Sequence, residues 1–154
     1  MRLSVAAPLA IAALAPGLAA CGGDDGLPRA ELAKRANAIC TDSNTKVAAI
    51  PRPPTRSLES AAAYYAKTRP IIGDATAKLQ RLEPKGAVKQ DWETYVGKQA
   101  ESARLLDVLV EQVTRRDAGV QQTRAQIDSV VADVTVAAGR IGADACASRS
   151  SPPA

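Results

Sequence analysis

Between Arg29 and Ile141 apolar side chains return every three or four residues, and three short breaks interrupt that rhythm. A period of 3.6 commits the chain to amphipathic helices, because only a helix gathers positions so spaced onto one face. The breaks are Pro51-Arg52-Pro53-Pro54, Glu83-Pro84-Lys85-Gly86 and Asp117-Ala118-Gly119. Proline has no amide hydrogen and excludes helical backbone before it, while glycine tolerates the left-handed conformation that ends helices. The pattern therefore predicts four helices, over about 29–50, 57–82, 88–116 and 119–141.

Each helix carries its own signals. Pro28 precedes the first, and Leu32, Ala36, Ile39, Cys40, Val47 and Ile50 form its stripe. Ser57 suits the N-cap of the second, with Glu59 in the first turn. Its stripe is Leu58, Ala62, Tyr65, Ile72, Leu79 and Leu82. Tyr65, Ile72 and Leu79 stay in phase across Pro70, which predicts one kinked helix rather than two. Val88, Trp92, Tyr95, Val96, Ala103, Leu106, Val110 and Val113 mark the third. Val120, Ile127, Val131, Val134, Ala138 and Ile141 mark the fourth. Val113, Val120 and Ile127 are also in phase across Gly119, so a single long helix 3–4 is an alternative. A turn capped by Asp117 is the expectation, since a helix of that length is unusual. The fold class expected is all-α, a four-helix up-down bundle.

Upstream lies a different kind of segment. Met1-Arg2 is basic, Leu3–Ala15 is apolar apart from Ser4, and Pro16-Gly17 precede Leu18-Ala19-Ala20-Cys21. A charged start, a short apolar run and small residues make the plan of a secretory signal. The run is too short and too broken by proline and glycine to span a bilayer. Leu18-Ala19-Ala20-Cys21 resembles the lipobox of bacterial lipoproteins. That resemblance implies a diacylglyceryl group on Cys21 and cleavage just before it. Residues 1–20 would then be a signal peptide, 21–28 a flexible tether, 29–146 the helical domain and 147–154 a disordered tail rich in Ser and Pro. The implied location is the extracytoplasmic face of the cell membrane, held by lipid on Cys21. Two acyl chains give stable attachment where one is marginal.

Composition narrows the chemistry. The chain of 154 residues contains no His and no Phe, and its only Met is Met1. Without His, a triad of the Ser-His-Asp or Cys-His kind lacks its base. Haem or copper ligation by His or Met is also excluded, as is the usual zinc site. No cofactor or metal is expected. Arg2 is the only charge in residues 1–20, so the remainder holds 19 cations against 16 carboxylates, a net charge of +3. So mild a bias does not make a nucleic-acid binder.

Three cysteines are present. With Cys21 lipidated, Cys40 and Cys146 remain as a pair, and an oxidising compartment favours their disulfide. A loop of roughly 100 residues gives about 4.7 kcal/mol in the chain-entropy account. Such a bridge makes helices 1 and 4 antiparallel neighbours. The register raises a difficulty, since Cys40 lies about 16 Å inside helix 1 while Cys146 lies past the end of helix 4. Either helix 1 projects beyond the bundle, or residues 142–145 fold back.

Taken together, Ala38-Ile39-Cys40-Thr41-Asp42-Ser43-Asn44, Arg69-Pro70-Ile71, Leu79-Gln80-Arg81-Leu82-Glu83-Pro84, the Asp117-Ala118-Gly119 turn and Ile141-Gly142-Ala143-Asp144-Ala145-Cys146 resemble segments of small uncharacterised helical lipoproteins of high-GC Gram-positive bacteria. The resemblance implies a helical bundle with a disulfide from helix 1 to the C-terminal segment. It implies no activity.

Candidate sites are few. Tyr65, Ile72, Trp92 and Leu106 would meet across a hairpin of helices 2 and 3, and an apolar ligand pocket there is one reading. Aromatics at this spacing otherwise serve as core. Asp107 and Glu111, four apart, share a helix face that acid–base work or a cation would need. They, with Asp42, Asp128 and Asp133, fall off the apolar stripes and have cations nearby, as solvated surface does. Lys34-Arg35 and Arg115-Arg116 read as exposed, and lipid headgroups are a candidate contact. The functional expectation is a non-enzymatic, membrane-anchored interaction or structural module with an envelope partner. The alternative is a lipoprotein binding a small apolar ligand between its helices.

Overall fold

The computed structural model describes residues 26–53 and 57–147. Four long helices follow one another: α1 (Arg29–Ala48), α2 (Leu58–Gln80), α3 (Val88–Arg115) and α4 (Val120–Ile141), with a one-turn α5 (Asp144–Ala147). Cys21, the expected signal segment and residues 148–154 lie outside the described residues. Neighbours in sequence pack as neighbours in space, so the chain is an up-down bundle.

Local chemistry explains the ends. α1 starts behind Pro28, whose carbonyl accepts from Leu32 N–H at 2.9 Å. It stops at Ala48, two residues before the expected Ile50. Ser57 Oγ caps α2 by accepting from Ser60 N–H at 3.2 Å. α2 then runs unbroken through Pro70, and the in-phase stripe on either side explains why packing holds it together. α3 and α4 are separate helices. Arg116 turns into the left-handed region at φ 55°, and Asp117 Oδ1 accepts from Gly119 N–H at 2.6 Å. Asp117 thus stabilises the turn, while Gly119 occupies the N-cap of α4.

The link between α2 and α3 has a second function. Leu27 pairs with it as an isolated parallel bridge opposite Pro84. Leu27 N–H donates to Glu83 O at 2.6 Å, and Lys85 N–H donates to Leu27 O at 2.9 Å. Residues 26–28, expected to belong to a flexible tether, are therefore clamped to the bundle, and residues 21–25 lie outside the described residues.

The core is drawn unevenly from the helices. Leu32, Ala36 and Cys40 come from α1, Val88, Trp92, Tyr95 and Leu105 from α3, and Ile127, Val130, Val134, Ala137, Ala138 and Ile141 from α4; α2 adds only Leu79 to this cluster. Trp92 and Tyr95 stack with ring centroids 5.4 Å apart at a tilt of 37°. α3 departs from its expected stripe. Its upper half buries Gln99, Ser102 and Leu105, while Ala103, Leu106, Val110 and Val113 are only half-buried. The reason is that α3 is shared between α2 and α4, its larger contact being with α4. Positions 99, 102 and 105 point inward, and Ala103 and Val113 sit on the flank toward Tyr65 and Leu58 of α2.

Helices 1 and 4 are not the direct neighbours expected. They touch only marginally, and α5 lies between them, packed on both. Gly142, at φ 79°, ends α4 with Ala143 N–H bonded to Ala138 O at 2.9 Å. This left-handed cap reverses the chain and lays residues 143–147 against the middle of α1. Of the two routes that the register permits, folding back is the one taken. Ala147, expected to open the disordered tail, is the last residue of α5.

Candidate functional site

The sequence-predicted residues separate into two groups. Cys40 and Cys146 meet in a disulfide, and the four candidate pocket residues are spread along α2 and α3. The Cys40–Cys146 disulfide joins α1 to α5 with Cα atoms 5.1 Å apart, across 106 residues of sequence. Both ends are buried, Cys146 at 1% exposure. Tyr95 is fully buried beside the bridge, its Oη 3.9 Å from Cys40 Sγ. A bridged sulfur has no proton, so the Tyr95 hydroxyl is the donor in that contact. The same oxygen accepts from Gln99 Nε2 at 2.8 Å. Cys146 Sγ, likewise without a proton, lies 3.4 Å from Ala36 O as a packing contact.

Two asparagines complete this clasp. Ala145 N–H donates to Asn37 Oδ1 at 2.9 Å, Asn37 Nδ2 donates to Gly142 O at 3.0 Å, and Asn44 Nδ2 donates to Ala145 O at 2.9 Å. Main-chain groups of the one-turn α5 that have no helical partner are satisfied by side chains of α1. Asn37, Cys40 and Asn44 stand at i, i+3 and i+7, one face of α1. That spacing was the available signal for the two asparagines, which pattern reading on apolar residues alone passes over.

Tyr65, Ile72, Trp92 and Leu106 lie along α2 and α3 at different depths. Tyr65, Ile72 and Leu106 are half-buried, and Tyr65 O–H reaches Ala103 O at 3.5 Å across the α2–α3 contact. Trp92 is 3% exposed and lines a surface recess with Leu82, Pro84, Lys89 and Val96 at the end where residue 26 enters. A second recess, at the other end of the bundle, is lined by Leu58, Val113, Arg116 and Val120. Neither contains Tyr65, Ile72 or Leu106.

The charged residues form surface pairs. Asp107 and Glu111 share a face but not a partner, Asp107 binding Arg69 at 2.9 Å and Glu111 binding Arg115 at 2.7 Å. Asp42 pairs with Lys46, and Asp133 with Lys98. The shifts in acidity follow from such pairs. The hydrogen bond from Arg35 holds the Glu31 carboxyl below its usual range, and the one from Lys78 does the same for Asp74. Glu101 and then Asp133 raise Lys98, and Asp42 raises Lys46. All are exposed or half-exposed, so each contributes little. Among the described residues no group of three acidic, Cys or His side chains is placed to hold a metal ion. Among the described residues the buried polar side chains are Ser43, Thr68, Gln99, Ser102 and Thr123, all hydroxyls or amides.

No helix of the described residues is long and apolar enough to cross a membrane. No protein-family model, curated protein or solved structure matches the chain.

Proposed function

We propose that the chain is a lipid-anchored protein of the bacterial cell envelope, acting as a non-enzymatic interaction or structural module on the outer face of the membrane. The observation that carries this reading is Leu18-Ala19-Ala20-Cys21 behind a short apolar run, with Cys21 the one cysteine left over once Cys40 pairs with Cys146. An odd cysteine in an exported chain calls for its own chemistry, and lipidation supplies it. The buried disulfide fits an oxidising compartment. Absence of His from the sequence, together with a described core free of carboxylate, amine and imidazole, supports a scaffold role over catalysis.

Intact mass of the protein taken from its native membrane fraction tests the reading. The expected mass is that of the chain from Cys21 plus a diacylglyceryl group, with two alkylatable thiols appearing only after reduction. A soluble product, or a free thiol at Cys21, refutes the anchor.

A further inference from the structure

We propose that the end of the bundle built from the α2–α3 link and the start of α1 is the face that meets the bilayer, a phospholipid headgroup surface being its partner. The inference rests on Cys21 being the lipid anchor. The described chain begins at this end, and Leu27 is fixed there by its two main-chain hydrogen bonds to Glu83 and Lys85. Five residue steps separate Cys21 from Gly26. Fully extended they reach at most about 18 Å. α3 has 28 residues and so extends about 42 Å, which places the Arg116–Gly119 turn far beyond that reach in an upright bundle.

Lying flat is the competing posture, and it needs an apolar flank to bury at the interface. Val136 is the only large hydrophobic residue found exposed among those described. The other large apolar side chains described are buried or half-buried, which leaves lying flat little to bury, and the bundle stands on the end that the tether holds. Charge plays a small part. Between residues 81 and 93, Arg81, Lys85 and Lys89 are balanced by Glu83, Asp91 and Glu93. The tether brings this end to the lipid, whether the headgroups are zwitterionic or anionic.

Trp92, the one tryptophan of the chain, lies in the first turns of α3 close to this end and serves as a native probe. The experiment uses the chain from Cys21 with its bridge intact, the Cys21 thiol coupled to a maleimide-headgroup lipid in phosphatidylcholine vesicles that also carry a dansyl-headgroup lipid. Energy transfer from Trp92 is compared with that from a Trp92→Phe, Gln121→Trp variant, whose donor is at the far end. Transfer from position 92 is expected to be several-fold stronger, and unchanged by high salt. Equal transfer from the two positions overturns the proposal. Neutron reflectometry of the unmutated coupled chain gives a check that needs no variant. An upright layer is about 40 Å thick, whereas a bundle lying on its side is roughly 20 Å. Because the lipid is attached chemically, this result stands apart from native lipidation, which intact mass alone decides.

Discussion

Asn37 and Ala145 are 108 residues apart in sequence, yet the Asn37 carboxamide oxygen accepts the Ala145 amide at 2.9 Å. With the second bond from Asn37 Nδ2 to Gly142 O, one side chain of α1 fixes both edges of the reversal after α4. Asn37→Ala removes the acceptor of the part-buried Ala145 amide and the donor to the exposed Gly142 carbonyl. It is expected to cost about 1–3 kcal/mol. Urea unfolding with the disulfide intact measures this, and Asn37→Asp should lose less because it keeps the acceptor for Ala145.

Removing the bridge has a larger effect. In the Cys40→Ser, Cys146→Ser variant the loss is expected to fall at about 2–5 kcal/mol, the long loop favouring the upper end. Reducing the unmutated protein should bring its denaturation midpoint close to that of the variant. A midpoint indifferent to reduction would show that packing of α5 holds without the covalent link.

Tyr95→Phe deletes the acceptor of the 2.8 Å bond from Gln99 Nε2 and the contact to Cys40 Sγ. Both residues are buried, so a loss of about 1–2 kcal/mol is expected. The pair should couple. In a double-mutant cycle with Gln99→Leu, the combined loss is smaller than the two single losses added.

Two glycines predict contrasting outcomes. A Cβ on Gly26 would lie 2.8 Å from Pro84 O and 2.9 Å from Pro84 C, both backbone atoms. Gly26→Ala must therefore push the entering strand away from the link, and hydrogen exchange at the Lys85 amide should accelerate. At Gly142 a Cβ meets only Ala33 Cβ, at 3.6 Å, so space is available. The cost of Gly142→Ala comes from φ 79° and is about 1–2 kcal/mol, with the Lys85 amide unaffected.

Stability should be nearly flat over a wide range of pH. Glu31, Glu59 and Asp74 are lowered from 4.5, 4.5 and 3.8, by a hydrogen bond from Arg35, by the main-chain amide of Glu59 itself, and by Lys78 respectively. A carboxyl lowered on folding contributes fully above its unfolded value, and that contribution is lost as pH falls through the folded one. Lys46 and Lys98 are raised above 10.5, so their contribution is present below 10.5 and lost as pH rises through the higher folded value. With no His to titrate between, Tm should hold level from about pH 5 to about pH 10 and decline on either side.

Much of this architecture is legible in the apolar rhythm. Leu32, Ala36 and Cys40 and the passage of α2 through Pro70 follow from the period, while the turn at 116–119 follows from Asp117 and Gly119 against a period that runs on across it. Setting Cys21 aside on its resemblance to a lipobox left Cys40 and Cys146 as the pair that the structure joins. What the rhythm conceals is interior polarity. Gln99 and Ser102 look like surface residues, but a helix packed between two others has an interior arc wider than one stripe, and amides or hydroxyls with partners fit there. The one-turn α5 is hidden for a different reason, since four residues are too few to show a period. The four residues read as a pocket lie on α2 and α3, and neither surface recess contains Tyr65, Ile72 or Leu106.

The disulfide also has a mechanical meaning. It closes residues 40–146 into a covalent ring that contains most of α1's second half, all of α2, α3 and α4, and nearly all of α5. A pull on the N-terminal end can peel only the segment before Cys40. The first bonds to bear that load are those of Leu27 to Glu83 and Lys85, and once they part, tension runs along the first turns of α1 and stops at the bridge. Under force, the ring would keep its helices connected while the residues before Cys40 act as the yielding part.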